Sequence, residues 1–441
     1  MVKIPNGMQL PRKLDDIDAR FMTQLLRARG LIGEDNEVTA TEDEGVGMTA
    51  GYFSSIKRVK CHFKRQTDAA NSFVVKTWPD FELAPKEQIA GMFEKDIIAY
   101  TMPSESFYPR PQVYLADFDA SEDRWALLMD DASAFGTQKL HETELPTEEV
   151  LHMVPKLVEV AVAWEGCHEG TKSEPLDQLG IVHWASDENL AAFRQIMPGG
   201  APLYDIWTNM SDSTLVNGYP WNKELGPNFT SLFTQKLEAF YEPIKPENGG
   251  TCTLVHGDIR GDNLFFCPVT ETYPNGWLTI DFQLLTRGPI PSDLAYLMNS
   301  GSVLPEVYDP TNREIISRRF YEAFMDQTEL YKGYSYDQFQ SEFMVMSTVL
   351  LIYYIGFGAN IWQAGIQNEQ ASRVEMGDRG ETEADLTPEE RRQRMWWRKA
   401  TANFRVTYKD YDVFNRLQGM RDNVGAMGPW FEVPERLRNL G

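Results

Sequence analysis

The chain has 441 residues, which is enough for two domains of ordinary size or for one large unit with two lobes. Hydrophobic residues make up 42% of the chain, a content that excludes a disordered or fibrous protein. The formal net charge of −23 argues against a nucleic-acid partner, because surfaces that neutralise phosphate backbones are basic.

The predicted elements begin with an amphipathic helix over residues 11–31, followed by a glycine-bearing run over residues 44–53. Alternating apolar residues then predict two strands, 52–63 and 72–78, which a polar turn joins into a hairpin. A helix is predicted over residues 84–101. Two short strands follow, within residues 111–119 and 124–131.

Beyond residue 132 the pattern changes to long helical segments, such as residues 147–170. Short strand-like runs interrupt them at 252–256, 263–267 and 276–281. The sequence therefore predicts an α+β fold with a small β-rich N-lobe (1–131) and a large, mostly helical C-lobe (132–441).

No membrane or secretory segment is predicted. Residues 1–16 lack the apolar stretch of a signal peptide. The most apolar segment, 343–362, carries polar residues and has no flanking basic cluster, which favours a buried helix. The four cysteines show no CxxC spacing and indicate reduced, buried thiols. We expect a cytoplasmic protein without a membrane partner, and its oligomeric state stays open.

A polar cluster, HGDIRGDN at residues 256–263, lies between two apolar runs. Asp258 stands five residues before Asn263, and Asp281 stands eighteen after Asn263, at the end of another apolar run. Phosphoryl transfer needs an acid that accepts the proton of the nucleophile, and an Asn and an Asp that hold Mg²⁺ on the nucleotide. The alternative is a turn in which these side chains cap the backbone, but the joint spacing disfavours it.

Upstream residues fit the same chemistry. Gly45, Gly47 and Thr49 lie in a run where backbone amides would cover the phosphates of ATP. Lys76 lies near the end of a predicted strand, where a lysine would pair with the α- and β-phosphates. The helix that follows offers Asp96 as the acid that would orient this lysine.

Two of these assignments leave alternatives open. Glu94 is the fallback for the acid that orients Lys76. The run LLMDDA would connect the lobes, and the backbone from Met129 to Asp131 would then contact the edge of adenine.

These motifs resemble those of the aminoglycoside phosphotransferase/choline kinase superfamily, and most of all the ecdysteroid kinase-like group. In that group the catalytic loop begins H-G-D, the metal loop reads D-F-Q, and the helix reads F-x-x-acid-hydrophobic-x-x-Tyr. The resemblance spans roughly residues 40–300. It implies the bilobal protein-kinase-like fold, with ATP and Mg²⁺ as cofactors and the hydroxyl of a small molecule as acceptor.

The resemblance assigns roles residue by residue. Asp258 would be the general base, and Asn263 and Asp281 would bind Mg²⁺. Lys76 would bind the phosphates and Asp96 would orient Lys76. The family commonly has a glutamate at the position of Asp96, so the shorter aspartate is a departure from its pattern.

Three further residues, two of them within residues 256–263, are given roles around the predicted base. His256 is expected to brace the loop, and Asp293, in a D-L-A motif, to support it. Arg260 stands two residues after the predicted base, and our hypothesis is that it touches the transferring phosphoryl group. The alternative for Arg260 is a surface ion pair with Asp262.

A protein kinase is disfavoured, because about ten residues separate Phe282 from Asp293 and no A-P-E motif follows to complete a peptide-binding segment. The expected acceptor is therefore a small molecule such as an amino alcohol, a sterol-like alcohol or an aminoglycoside. Aromatic residues after 350 are expected either in the core or in a wall around this acceptor. A catalytically silent, kinase-like binding module is the alternative function.

Overall fold

The computed structural model describes residues 2–44, 54–78, 86–122, 124–139, 144–191, 241–300 and 302–350. The chain divides into two compact units. Unit 1 comprises Met1–Gln138 and Asp262–Leu285, and unit 2 comprises Lys139–Gly261 and Thr286–Gly441. Unit 1 thus extends past the predicted lobe boundary after residue 131, and it includes a second segment that the sequence had placed in the helical lobe.

The elements are numbered here in chain order. The strands are β1 (Val38–Glu44), β2 (Ser55–Phe63), β3 (Ser72–Thr77), β4 (Val113–Asp119), β5 (Arg124–Asp130), β6 (Thr137–Gln138), β7 (Thr253–Val255), β8 (Leu264–Phe266), β9 (Trp277–Thr279) and β10 (Thr286–Gly288). The helices are α1 (Ala19–Ala28), α2 (Lys86–Ala99), α3 (Thr147–Ala163), α4 (Ser173–Asp177), α5 (Ser292–Asn299) and α6 (Pro310–Met325).

Unit 1 is built on a five-stranded antiparallel sheet in the order β1-β2-β3-β5-β4. A second, three-stranded sheet has the order β6-β8-β9. Lys76 lies on the third strand of the chain and Asp96 on the helix that follows it. This order of elements is the one that the kinase-like interpretation predicts.

Helix α1 is shorter than the predicted helix over residues 11–31. It begins after Asp18, whose carboxylate accepts the N–H of Phe21 at 2.7 Å, and it ends before Gly30, which has a φ of +70°. Before the helix, the Asp16 carboxylate accepts two backbone N–H groups of residues 12 and 13, which holds that stretch in a turn.

The core of unit 1 lies between α1 and the five-stranded sheet. One face of α1 and inward side chains of all five strands contribute buried residues, among them Met22, Leu25, Leu26, Val38, Val59, Phe73, Val75, Leu115 and Leu128. Each large apolar side chain buried in this way stabilises the fold by about 1.5–3 kcal/mol. The sheet therefore forms a firm support for the strand that carries Lys76.

The described part of unit 2 is mostly helical. Helices α3 and α6 contact each other, and β7 pairs antiparallel with β10, with Val255 opposite Thr286. Every residue of α5 is buried. Strands dominate unit 1 and helices the described part of unit 2, which confirms the predicted α+β class.

No helix within the described residues is long and apolar enough to cross a membrane. Of the predicted helix over 343–362, residues 343–350 are helical and buried, and the rest lies outside the described residues. All four cysteines are free thiols, as predicted, and three of them are buried.

Glu342 is a buried carboxyl group in unit 2. It accepts hydrogen bonds from Thr251 N (2.9 Å), Thr251 Oγ1 (2.6 Å) and Tyr334 Oη (2.6 Å). Burial raises the pKa of Glu342, and these hydrogen bonds oppose that shift. Thr251 Oγ1 also accepts the N–H of Ile290, so Glu342 lies at the end of a buried chain of hydrogen bonds.

We expect Glu342→Gln to remove part of the pH dependence of stability. A carboxyl group with a raised pKa in the folded state contributes stability below its unfolded pKa of about 4.3, and this contribution is lost as the pH rises through the raised value. The free energy of unfolding of wild type should therefore fall relative to the variant as the pH rises above about 4. Urea titrations at a series of pH values measure this.

The exposed Glu322→Gln on α6 is the matched control and should keep the wild-type pH dependence. Equal pH dependence in wild type and Glu342→Gln would contradict the assignment.

Candidate active site

Lys76 is buried at 3% exposure near the end of β3. Its Nζ lies 2.8 Å from Asp96 Oδ2 and 3.1 Å from Asp281 Oδ1. Burial alone would lower the pKa of Lys76, but the two carboxylates raise it above its ordinary value. The lysine is thus held as a cation between two acids.

Asp96, and not the fallback Glu94, is the acid that pairs with Lys76. Its carboxylate is fully buried, and Oδ1 also accepts the N–H of Phe282 at 3.0 Å. Burial raises the pKa of Asp96, and the neighbouring Lys76 opposes this rise. One short side chain therefore joins the lysine to the D-F-Q loop.

Asp281 adopts a left-handed backbone conformation with a φ of +68°, the only positive φ outside glycine among the described residues. Such a conformation costs of order 1–3 kcal/mol in a non-glycine residue and persists where the surroundings impose it. The N–H of Asp281 donates to Tyr100 Oη at 3.3 Å, and the ring of Phe282 packs against Tyr100 and Phe107. These contacts and the ion pair with Lys76 hold the loop.

Asn263 and Asp281 lie at the same end of the β8–β9 hairpin. Leu264 pairs with Thr279, and the N–H of Ile280 donates to the carbonyl of Asn263 at 3.0 Å, which extends the ladder by one step. Both residues offer side-chain oxygens, the ligand type that Mg²⁺ prefers.

This donor set fits Mg²⁺ that also binds a nucleotide. Within the described ranges, no group of three or more His, Cys, Asp or Glu side chains could hold a metal ion. Mg²⁺ is usually held by one or two protein ligands together with water and substrate phosphates. Asn263 and Asp281 would supply the protein part of such a site, and a quarter of the Asp281 side chain is exposed.

Met129 and Asp131 of the predicted hinge lie in β5 and directly after it. Met129 lies inside β5 opposite Val74 and Val113, with a neighbouring strand on each side. The N–H of Asp131 points to the carbonyl of Ser72 at 3.4 Å, and its own carbonyl accepts the N–H of residue 134. Contact of the Met129 and Asp131 backbones with adenine stays a prediction.

The Asp131 side chain serves the fold of unit 1, because it caps the turn over residues 132–134 and pairs with Arg58 at 2.8 Å. Gly45, Gly47 and Thr49 of the predicted phosphate loop lie outside the described residues, as do the aromatic residues after 350. Their predicted roles stay predictions.

In unit 2, the side chains of Asp293 and His256 hold the backbone of the predicted catalytic loop. Asp293 accepts the N–H groups of His256 (3.0 Å) and Gly257 (3.3 Å), which confirms its predicted support of the loop. The fully buried His256 accepts the N–H of Asp258 at Nδ1. Gly257 has a φ of +81°, so the chain turns sharply at the one residue type that adopts this conformation freely.

Asp258 Oδ1 has two partners in unit 2. Arg260 Nε lies 3.2 Å from it, and Tyr296 donates its hydroxyl to it at 2.5 Å. The hypothesis that Arg260 touches a phosphoryl group is not tested by this pairing, but the arginine does lie beside the predicted base.

Two tyrosines contact predicted site residues although the sequence reasoning gave neither a role: Tyr100 was only part of the helix motif, and Tyr296 was not singled out. Tyr100 directly follows α2, four residues after Asp96, and Tyr296 lies three residues after Asp293 on the same face of α5. That spacing was the available signal, but it does not identify what the tyrosine touches.

The chain was compared with known proteins. The model of the ecdysteroid kinase-like family matches residues 208–332, which include the catalytic loop, the D-F-Q loop and the D-L-A motif. Over these residues the match confirms the expected resemblance. None of the curated proteins compared with the chain matches it.

The solved structures that match the chain include small-molecule kinases. A variant of aminoglycoside 2′-phosphotransferase-IIIa in its GDP complex is 12% identical, with a TM-score of 0.47 over 82% of this chain and 97% of that one. Choline kinase from Cryptosporidium parvum Iowa II is 12% identical, with a TM-score of 0.42 over 82% and 97%. Plasmodium vivax ethanolamine kinase is 12% identical, with a TM-score of 0.44 over 81% and 89%. Each TM-score is below 0.5, and we draw no conclusion about this chain from these likenesses.

Proposed function

We propose that the chain is an ATP-dependent kinase that transfers the γ-phosphoryl group to a hydroxyl of a small metabolite. The observation that carries this proposal is the buried contact of Lys76 with Asp96 and Asp281, next to Asn263 at one end of the β8–β9 hairpin. A lysine cation beside two oxygen donors for Mg²⁺ is the arrangement that binds nucleotide phosphates.

In this proposal Lys76 binds the α- and β-phosphates, and Asp96 keeps its ammonium group in place. Asn263 and Asp281 hold the metal. Mg²⁺, when bound, would neutralise part of the charge on the phosphates. These groups position the nucleotide but do not activate the acceptor.

Asp258 acts as the general base. The hydroxyl oxygen of the acceptor attacks the γ-phosphorus, the bond from that phosphorus to the bridging oxygen breaks, and ADP leaves with its electron pair. The proton of the hydroxyl passes to the Asp258 carboxylate. Arg260, beside Asp258, is proposed to contact the transferring phosphoryl group.

The acceptor is proposed to be an amino alcohol, a sterol-like alcohol or an aminoglycoside-like compound. The description of the matching family names ecdysteroid kinases, so steroid polyols belong among the compounds to be tested. The net charge of −23 is compatible with cationic acceptors.

The test is a screen for ADP formation from Mg·ATP with amino alcohols, aminoglycosides, steroid alcohols, sugars and hydroxyacyl compounds. Asp258→Asn serves as the blank. We expect at least one class to give turnover in wild type that is at least about 100-fold faster than in the blank. Tight Mg·ATP binding without turnover on any class would favour the silent binding module, and equal activity in the blank would refute the mechanism.

A further inference from the structure

Helix α5 contacts both the backbone and the side chain of the catalytic loop. Asp293 accepts the N–H groups of His256 and Gly257, and Tyr296 donates its hydroxyl to Asp258. The two residues of the helix are three positions apart and therefore share one face. Because the whole helix is buried, it forms a rigid platform for the loop.

We propose that Tyr296 is a positioning residue for Asp258, which holds the carboxylate in the orientation that accepts the proton of the acceptor hydroxyl. This inference rests on the kinase function proposed above. An aspartate side chain otherwise samples several rotamers, and proton transfer requires the one in which an oxygen lies within hydrogen-bond reach of the acceptor. Tyr296 is only 4% exposed and lies on a buried helix, so its hydroxyl favours a single rotamer of Asp258.

Tyr296, a neutral phenol, shares one oxygen of Asp258 with the cation Arg260. Arg260 contacts the same oxygen of Asp258, at 3.2 Å. The guanidinium has five N–H donors, so Arg260 can contact a phosphoryl group while its Nε stays beside Asp258. Tyr296 adds an uncharged contact to Asp258, for which a phosphoryl group competes less than for the cation.

Tyr296→Phe tests this role, because it removes the hydroxyl and keeps the ring. We expect kcat for the best acceptor of the screen to fall about tenfold, as for the loss of a hydrogen bond to a charged group. The KM for ATP should stay at its wild-type value. The matched control is Tyr321→Phe, which removes a hydroxyl that donates to the carbonyl of Tyr334 in the same unit, and it should keep wild-type kcat.

The effect should also depend on Asp258. In an Asp258→Asn background, Tyr296→Phe should produce no further loss in ADP formation, because the group that the tyrosine positions no longer accepts a proton. An equal loss in both backgrounds would show a general structural role and overturn the inference. Wild-type kcat in Tyr296→Phe would overturn it as well.

A second measurement does not need turnover. A short hydrogen bond between a phenol and a carboxylate gives a downfield proton resonance, which should be present in wild type and in Tyr321→Phe but absent in Tyr296→Phe. Its absence from wild type would overturn the inference. A wild-type chain that phosphorylates no acceptor would instead refute the proposed function, so the two failures are distinguishable.

Discussion

Replacing Asp258 with Asn should lower kcat by about 100- to 10,000-fold, the usual contribution of a general base. Asn has nearly the same size and can still accept the hydroxyl of Tyr296, but it cannot take up the proton of the acceptor. The affinity for Mg·ATP should change little, because Lys76 and the proposed metal ligands Asn263 and Asp281 lie in unit 1 and are unchanged. Steady-state ADP formation and calorimetric titration with Mg·ATP measure the two quantities.

Asp326→Asn is the matched control for this prediction, since it changes an exposed aspartate of unit 2 in the same way. It should keep both turnover and affinity. Asp258→Asn with wild-type kcat would contradict the base assignment. A large loss of Mg·ATP affinity would instead indicate that Asp258 contributes to nucleotide binding.

Replacing Lys76 with Met should abolish turnover and lower the free energy of unfolding by about 3–5 kcal/mol, the cost of removing one partner from a buried ion pair. The Asp96 side chain is fully buried, so the variant would leave a carboxylate without its cation. Urea denaturation measures the stability, and ADP formation measures the activity.

A double variant separates the two effects. Lys76→Met with Asp96→Asn removes both charges and keeps an oxygen that can accept the N–H of Phe282. We expect it to recover much of the lost stability and none of the activity. Lys64→Met, which breaks an exposed pair with Glu37, should leave the free energy of unfolding close to that of wild type. A double variant as unstable as Lys76→Met alone would show that the uncompensated charge is not the cause.

Local patterns in the sequence predicted most elements of unit 1. The observed β2, β3 and α2 lie within or close to the ranges expected from apolar periodicity. Strand β1 was missed because its sequence, VTATEDE, is mostly polar after the first residue and shows no apolar alternation. It is defined by pairing with β2, which is a contact between distant residues.

The site could be predicted as a set of residues but not as a geometry. Motif spacing singled out Lys76, Asp96 and Asp281, because the chemistry of phosphate binding needs those residue types in that order. The left-handed backbone of Asp281 could not be foreseen, since aspartate rarely adopts it without tertiary constraint. Likewise, the hydrogen bond from Tyr296 depends on how α5 packs beneath the loop.

Unit 1 is assembled from two stretches of chain that are separated by residues 139–261. During synthesis Lys76 and Asp96 leave the ribosome well before Asp281, by roughly ten seconds or more at about 5–20 residues per second. Strand β6 likewise cannot pair until β8 has been synthesised. The early sheet can form from neighbouring strands, whereas the end with Asn263 and Asp281 is completed late. A fragment that stops at Gln138 would therefore contain Lys76 and Asp96 but lack Asp281, the third residue of the buried ionic contact.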